Sequence, residues 1–158
     1  MQRPAQPNLQ IHLATALVRR GGQILLVASR YPNHPEPLWN LPGGRQMPGE
    51  LLRDTVLREL REETGLEGRL FELCYVSESY DGATHFTNFT FRVEADGEPS
   101  APHIEGDHVV DAAWVAEGEV ERRIAVAVVR EPLLAHLRGE RSRYAGYPEA
   151  GITVEFPD

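Results

Sequence analysis

Glu59, Glu62 and Glu63 stand at i, i+3 and i+4 in the segment Arg58-Glu-Leu-Arg-Glu-Glu-Thr64. On a helix that spacing gathers three carboxylates on one face. Each like-charged pair costs roughly 0.2–0.5 kcal/mol, and anions near a helix C-terminus oppose the macrodipole by about 0.3–1 kcal/mol. Local electrostatics therefore do not favour the arrangement. A solvated charged face, relieved by Arg58 and Arg61, is one reading of it. The other is a seat for a hard cation: clustered carboxylate oxygens suit Mg²⁺ or Mn²⁺, which keep several waters and share their remaining positions with phosphate oxygens. An ion held that way neutralises phosphate charge and activates an attacking water.

Such chemistry needs a helix and a scaffold to hold it. From Leu51 to Thr64 the apolar residues Leu52, Val56 and Leu60 recur every four positions, with Leu57 alongside and charged residues filling the rest. This predicts an amphipathic helix, bounded by Gly49 and by Gly65 as a left-handed C-terminal residue. Upstream, Ile11–Arg19 and Gln23–Ser29 read as two strands joined by a Gly21-Gly22 turn. The proline-rich stretch 31–37 reads as an exposed loop. Downstream, Leu70–Ser79, His85–Glu94 and Val109–Val115 read as strands, the first two separated by Asp81-Gly82. Glu117–Arg138 is helical in spacing, with Pro132 expected to break it, kink it or start a second helix. One short strand is expected at Ile152–Phe156. Strands and helices in this order predict an α+β domain, an α/β/α sandwich around a mixed β-sheet. The whole chain, 1–158, is read as a single domain with a core of about 11–137 and a tail of 139–158.

Composition narrows the class. The chain has 158 residues and a net charge of −8, from 24 acidic and 16 basic side chains. An acidic balance argues against tracking a nucleic-acid polymer. All sixteen basic residues are arginine, which excludes a Walker A loop and lysine Schiff-base chemistry. Cys74 is the single cysteine; it cannot form an intramolecular disulfide, and its setting in Leu-Cys-Tyr-Val predicts a buried small hydrophobe in a reducing compartment. No apolar run approaches the roughly 18–20 residues that span a bilayer, and the first ten residues lack a signal-peptide core. The expectation is a cytoplasmic protein without membrane association.

From Gly44 the sequence runs five residues to Glu50, seven more to Arg58-Glu59-Leu60, then Arg61, Glu62-Glu63, Thr64 and Gly65-Leu66. This resembles the Nudix box, the signature of the MutT-like Nudix hydrolases, at every fixed position, and the lead-in Trp39-Asn-Leu-Pro-Gly-Gly44 is similar to the family's usual approach to it. The resemblance implies metal-dependent hydrolysis of a pyrophosphate bond in a nucleoside diphosphate linked to some group X. It implies Glu59, Glu62, Glu63 and a carbonyl of the Gly43-Gly44 pair, assigned to Gly44, as ligands of Mg²⁺ or Mn²⁺, with Glu59 or Glu62 as a candidate general base. Glu50 and Arg58 are implied as a supporting ion pair.

Beyond the box, Arg30 and Arg45 resemble positions where family members place cations on substrate phosphates, and arginine's planar fork suits that task. Tyr80 lies near where dinucleoside polyphosphate hydrolases of the family often carry a tyrosine. A downstream loop glutamate often completes the metal site or supplies the base; here Glu105 is the first choice and Asp107 the second. His108 stands where many members carry an acidic residue. Trp39, Phe86, Phe89 and Phe91 could stack on a nucleobase, although alternating aromatics in a strand are commonly core. The substrate expected is a nucleoside triphosphate or related nucleotide. Dinucleoside polyphosphates, ADP-ribose and nucleotide sugars are the alternatives, followed by a non-catalytic nucleotide-binding regulatory module. A homodimer is kept open as the assembly state.

Overall fold

The computed structural model describes residues 9–100 and 108–155. Two sheets form its middle. Strand β1 (Leu9–Leu17) pairs in parallel with β7 (Thr84–Glu94) along its whole length and antiparallel with the short β5 (Gly43–Arg45) on its other edge. Strand β6 (Arg69–Asp81) runs antiparallel to β7, and β9 (Tyr144–Tyr147) adds in parallel to β6. The resulting five-stranded mixed sheet has the order β5-β1-β7-β6-β9. In the second sheet β3 (Gln23–Ser29) pairs with β8 (Val109–Ala116) along its full length, and with β2 (Arg19–Arg20) and β4 (Leu38–Asn40).

Helices cover the sheets through two separate apolar clusters. Helix α1 (Leu52–Thr64) sets Val56 and Leu60, both fully buried, against Ala14, Ala16, Val18, Leu25 and Val93. Burying each such side chain contributes about 1.5–3 kcal/mol. A single 3₁₀ turn (Glu117–Glu119) leads into α2 (Val120–Arg123), followed by α3 (Ala127–Leu137). Val120, Ile124 and Leu133 from this region pack on Leu17, Ile24, Leu26, Cys74 and Tyr75. This is the layered α+β arrangement expected from the element order. Cys74 is buried as anticipated, and burial pushes its thiol up to about 11.

Three local expectations are corrected. The Gly21-Gly22 turn does join a hairpin, and both glycines have positive φ, but only Arg19–Arg20 pair with β3. Strand β1 belongs to the other sheet. The chain changes sheets at Val18, between β1 and β2, and its alternate residues there face both clusters, Ala14, Ala16 and Val18 one and Leu17 the other. The break in the C-terminal helical region falls at Ile124–Val126 and not at Pro132, which lies buried inside α3. Arg130 bonds the freed carbonyls of Ile124 (3.1 Å) and Ala125 (3.2 Å), stabilising the break. The last strand is Tyr144–Tyr147, and 152–155 are not a strand; Phe156 lies outside the described residues. Register on β6, not local composition, decides this: Tyr144 to Tyr147 pair with Val76 to Ser79.

Candidate active site

The segment Leu38–Arg45 carries the chain from one sheet to the other, through β4, Leu41-Pro42 and β5. Gly43 and Gly44 pair with Thr15 and Ala14 of β1. A Cβ on Gly43 would lie 2.3 Å from the Ala14 carbonyl oxygen, and one on Gly44 would lie 2.6 Å from the Glu59 carboxylate carbon. Glycine is required at Gly43, where backbone blocks a Cβ, whereas at Gly44 a Cβ would displace the Glu59 carboxylate.

Helix α1 is positioned against this loop at both ends. At its start the Asp54 carboxylate accepts the Leu51 N–H at 3.0 Å, and at its end Gly65, with φ 77°, donates to the Arg61 carbonyl at 2.8 Å. Glu50 accepts hydrogen bonds from Arg58 Nε (2.7 Å) and Nη2 (3.0 Å), from the Met47 N–H (2.9 Å) and from the Thr55 hydroxyl (3.1 Å). The Arg58 guanidinium, with help from the Met47 N–H, holds the Glu50 carboxyl down to about 2. Glu50 in turn raises Arg58 above its already high value. The two residues form an ion pair whose bidentate fork closes loop 45–50 onto the helix, and Arg58 Nη2 also donates to the Arg45 carbonyl at 3.2 Å.

The three glutamates separate in depth. Glu63 is 4% exposed and accepts the Gly43 N–H at 2.7 Å. Its carboxylate is buried, not on a solvated face. Glu59 and Glu62 each accept from Arg58 Nη1, at 2.8 and 3.1 Å. Glu59 and Glu63 line the cleft described below, whereas Glu62 does not. Around the helix axis Glu62 and Glu63 flank Glu59 on opposite sides, so one turns toward the rim and the other inward. Among the described residues no three acidic, histidine or cysteine side chains already converge as an ion cage. Arg58 engages two of these carboxylates and the Gly43 N–H the third.

The cleft has a volume of about 470 Å³ and opens between the two sheets. Period-two alternation sets most of what faces it: Leu13 and Thr15 from β1, Val27 and Ser29 from β3, Ser77, Ser79 and Asp81 from β6, Phe86 and Asn88 from β7; Glu78, of the other parity, also reaches the lining. Thr15 donates to or accepts from Thr90 at 2.8 Å and donates to Asn88 at 3.2 Å, so the polar groups of this floor are tied together. The same parity sorts the aromatics. Phe86 lines the cleft; Phe91 packs into the α1 cluster, and Phe89 stands edge-on to His12 at 6.1 Å. Trp39 also lines the cleft, with Arg123 over its ring at 5.1 Å.

Of the residues expected on substrate, Arg45 lines the cleft. Arg30 is exposed at the end of β3, outside the lining. Tyr80 differs in parity from Ser79 and Asp81 and stacks on His85 at 4.4 Å, on the other side of the sheet. Glu105 and Asp107 lie outside the described residues. His108 lines the cleft with its ring 5.5 Å from that of Tyr31. Tyr31 was not singled out from sequence; its hydroxyl is raised by burial, lowered in part by a bond with Ser29, and raised further by the charge of Glu63. Ala150, Ile152 and Val154 of the tail were missed as well. Only their apolar alternation across Gly151 and Thr153 signalled them.

The sequence profile of the NUDIX domain matches residues 10–137. The chain belongs to the Nudix family. Over 62 residues it is 37% identical to the CTP pyrophosphohydrolase of Escherichia coli (strain K12), an alignment covering 39% of this chain and 46% of that protein. The aligned part thus spans about half of that curated relative. Among solved structures, the E. coli ORF135 protein superposes with a TM-score of 0.70 at 26% identity, covering 88% of this chain and 98% of that one. A MutT protein from Methanosarcina mazei Go1 gives a TM-score of 0.72 at 20% identity, with coverage of 87% and 100%, a likeness of fold. The α+β class and the Nudix fold read from the box therefore hold. No helix among the described residues is long and apolar enough to cross a membrane.

Proposed function

We propose that this Nudix protein is a metal-dependent hydrolase of pyrophosphate bonds in nucleotides, with nucleoside triphosphates as its substrate class. The observation that carries the reading is the meeting of Glu59 and Glu63 with the Gly43-Gly44 backbone at one edge of a cleft whose remaining walls are largely apolar. An all-oxygen donor set pressed against a backbone that leaves no room for a Cβ suits a hard divalent ion. Glu59, Glu62, Glu63 and the Gly44 carbonyl are the groups that would hold Mg²⁺ or Mn²⁺. When bound, such an ion supplies neutralisation of phosphate charge and a more acidic water.

The chain's own groups do the rest. Arg45 meets phosphate oxygens at the cleft edge, and Glu59 or Glu62, both bonded by Arg58, is the candidate in the box to accept the proton of an attacking water. Glu63, fixed by the Gly43 N–H, keeps the loop and the carboxylates in register. Glu105, in the downstream loop, is the alternative base. The name of the E. coli relative, a CTP pyrophosphohydrolase, supports a nucleoside triphosphate. A cytoplasmic location goes with the reduced, buried Cys74.

The test is a mass-spectrometric product assay with Mg²⁺ or Mn²⁺ across nucleoside triphosphates, ADP-ribose, dinucleoside polyphosphates and nucleotide sugars. Monophosphate and pyrophosphate, or diphosphate and phosphate, formed only with metal from the triphosphates is the expected result. Turnover confined to another class would replace the substrate, and binding without turnover in the folded protein would leave a regulatory module.

A further inference from the structure

Residues beyond the NUDIX match build one wall of the cleft. After β9 the chain turns back, and Ala150, Ile152 and Val154 line the cleft while Gly151, Thr153 and Glu155 between and beyond them are exposed. That is the alternation of an extended chain showing one face inward. The outward face is tied down on two sides. The Thr153 carbonyl lies 2.7 Å from Asn33 Nδ2 and 2.9 Å from His34 Nε2, and Asn33 Oδ1 accepts the Glu155 N–H at 2.9 Å. Thr153 Oγ1 donates to Asp81 at 3.0 Å, and the Ala150 N–H donates to the Tyr80 carbonyl at 2.8 Å. Asn33 and His34 follow β3 of one sheet, and Tyr80 and Asp81 end β6 of the other. The segment is thus a strap between the two sheets.

Its position follows from topology. Gly43 and Gly44 sit on β5, one edge of the five-stranded sheet, whereas the strap is bonded to β6, three strands away. At about 4.8 Å per strand that is roughly 14 Å across the cleft floor. A phosphate chain held at the glycine edge would extend its other end toward the strap. There the lining groups include Ile152 and Val154 from the strap, with Phe86 nearby on β7 and Trp39 and Val129 on further walls. Apolar and aromatic surfaces suit the faces of a flat ring, while Ser79, Asp81 and Asn88 on the floor of the same end can meet its polar edge.

We infer that the strap 150–155 is the specificity wall of the cleft and that its occupant is the nucleobase of the substrate. The inference rests on the proposed nucleotide reading. Ile152 and Val154 contact the base, and Asn33 is a positioning residue that acts through the strap's backbone.

The experiment compares the intact protein with Ile152→Ser, Val154→Ser and Asn33→Ala. Calorimetry is run without metal, using a nucleoside monophosphate and inorganic pyrophosphate as ligands, and steady-state kinetics with metal use the triphosphate. Melting curves establish that each variant is folded. The ratio of monophosphate to pyrophosphate affinity is expected to fall about ten-fold in Ile152→Ser and Val154→Ser, the size associated with losing an apolar pocket contact. Asn33→Ala should shift the same ratio, with restoration in Asn33→Asp only of the part due to the Glu155 N–H. Triphosphate KM should rise more than kcat falls. An unchanged ratio in both strap variants overturns the inference even where turnover is intact, leaving the hydrolase reading in place. A changed ratio in a protein that binds but does not turn over nucleotides supports the wall and removes the hydrolase. Failure of the intact protein to bind any nucleotide overturns both.

Discussion

The two edges of the cleft are built in opposite ways. At the glycine edge, Gly43 to Glu63 supply the loop, the ion pair and the carboxylates from 21 consecutive residues, and hydrogen bonds of 2.7–3.2 Å fix nearly every polar group. At the strap edge, β6, β7, α3 and the tail contribute side chains from distant parts of the sequence, and Ile152, Val154, Val129 and Phe86 present an apolar wall. Directional bonds place charges to within tenths of an ångström, as reacting groups require. Apolar walls select by shape and tolerate adjustment. Damage at the first edge should therefore appear chiefly in kcat, and damage at the second chiefly in KM.

The sharpest way to break that contrast is Glu63→Gln. The amide can still accept the Gly43 N–H through its oxygen but loses the charge, so kcat should fall on the order of 10²–10⁴ with the fold retained. Steady-state kinetics with a circular-dichroism melt decide it. A change confined to KM would place Glu63 with the shape-selecting wall.

The glycines divide the same edge into scaffold and chemistry. Gly43→Ala drives a Cβ into the β1 backbone, which cannot step aside, and should cost on the order of 1–3 kcal/mol in urea unfolding. Gly44→Ala meets only the end of the Glu59 side chain, so the unfolding midpoint should hold while kcat/KM drops about ten-fold. Equal loss of stability in both would show that the loop answers as one unit. On the apolar side, Trp39→Ala should act mainly through KM, by about ten-fold.

The smallest expected effect is on acid stability. Glu50 is held at about 2 against an ordinary 4.5. A carboxylate with a depressed folded value stabilises the protein above its unfolded value and loses that contribution as pH falls toward the folded one. Melting temperature should therefore decline between about pH 4.5 and 2, and Glu50→Gln should melt lower at neutral pH with a flatter decline over that window. An identical slope in the variant would show that Glu50 is not the group whose protonation opens the loop.

Helix α1 was legible because its signals are local: the four-residue recurrence of Leu52, Val56 and Leu60, and a left-handed Gly65 after the last turn. The Glu50–Arg58 pair was equally so, being two turns apart along one short stretch. The sheets were legible as strands but not as pairings. Nothing in Ile11–Arg19 announces that the chain leaves one sheet after Leu17 and starts the next at Arg19. Nor does Pro132 announce that its helix continues while the break falls upstream, since its burial is set by packing of the whole helix.

The sequence by itself determined the carboxylate helix, the glycine loop before it and the class of chemistry they can support, because spacing along a helix converts directly into geometry. It also determined a layered α+β fold and a buried Cys74. The tertiary structure alone decided that Glu63 is buried on the Gly43 N–H while Glu62 turns to the rim, that Arg45 and not Arg30 or Tyr80 lines the cleft, and that the tail walls it. Those outcomes depend on strand register and on contacts between segments up to 122 residues apart, such as Asn33 with Glu155. No local preference encodes them; only packing two sheets against each other brings those residues together.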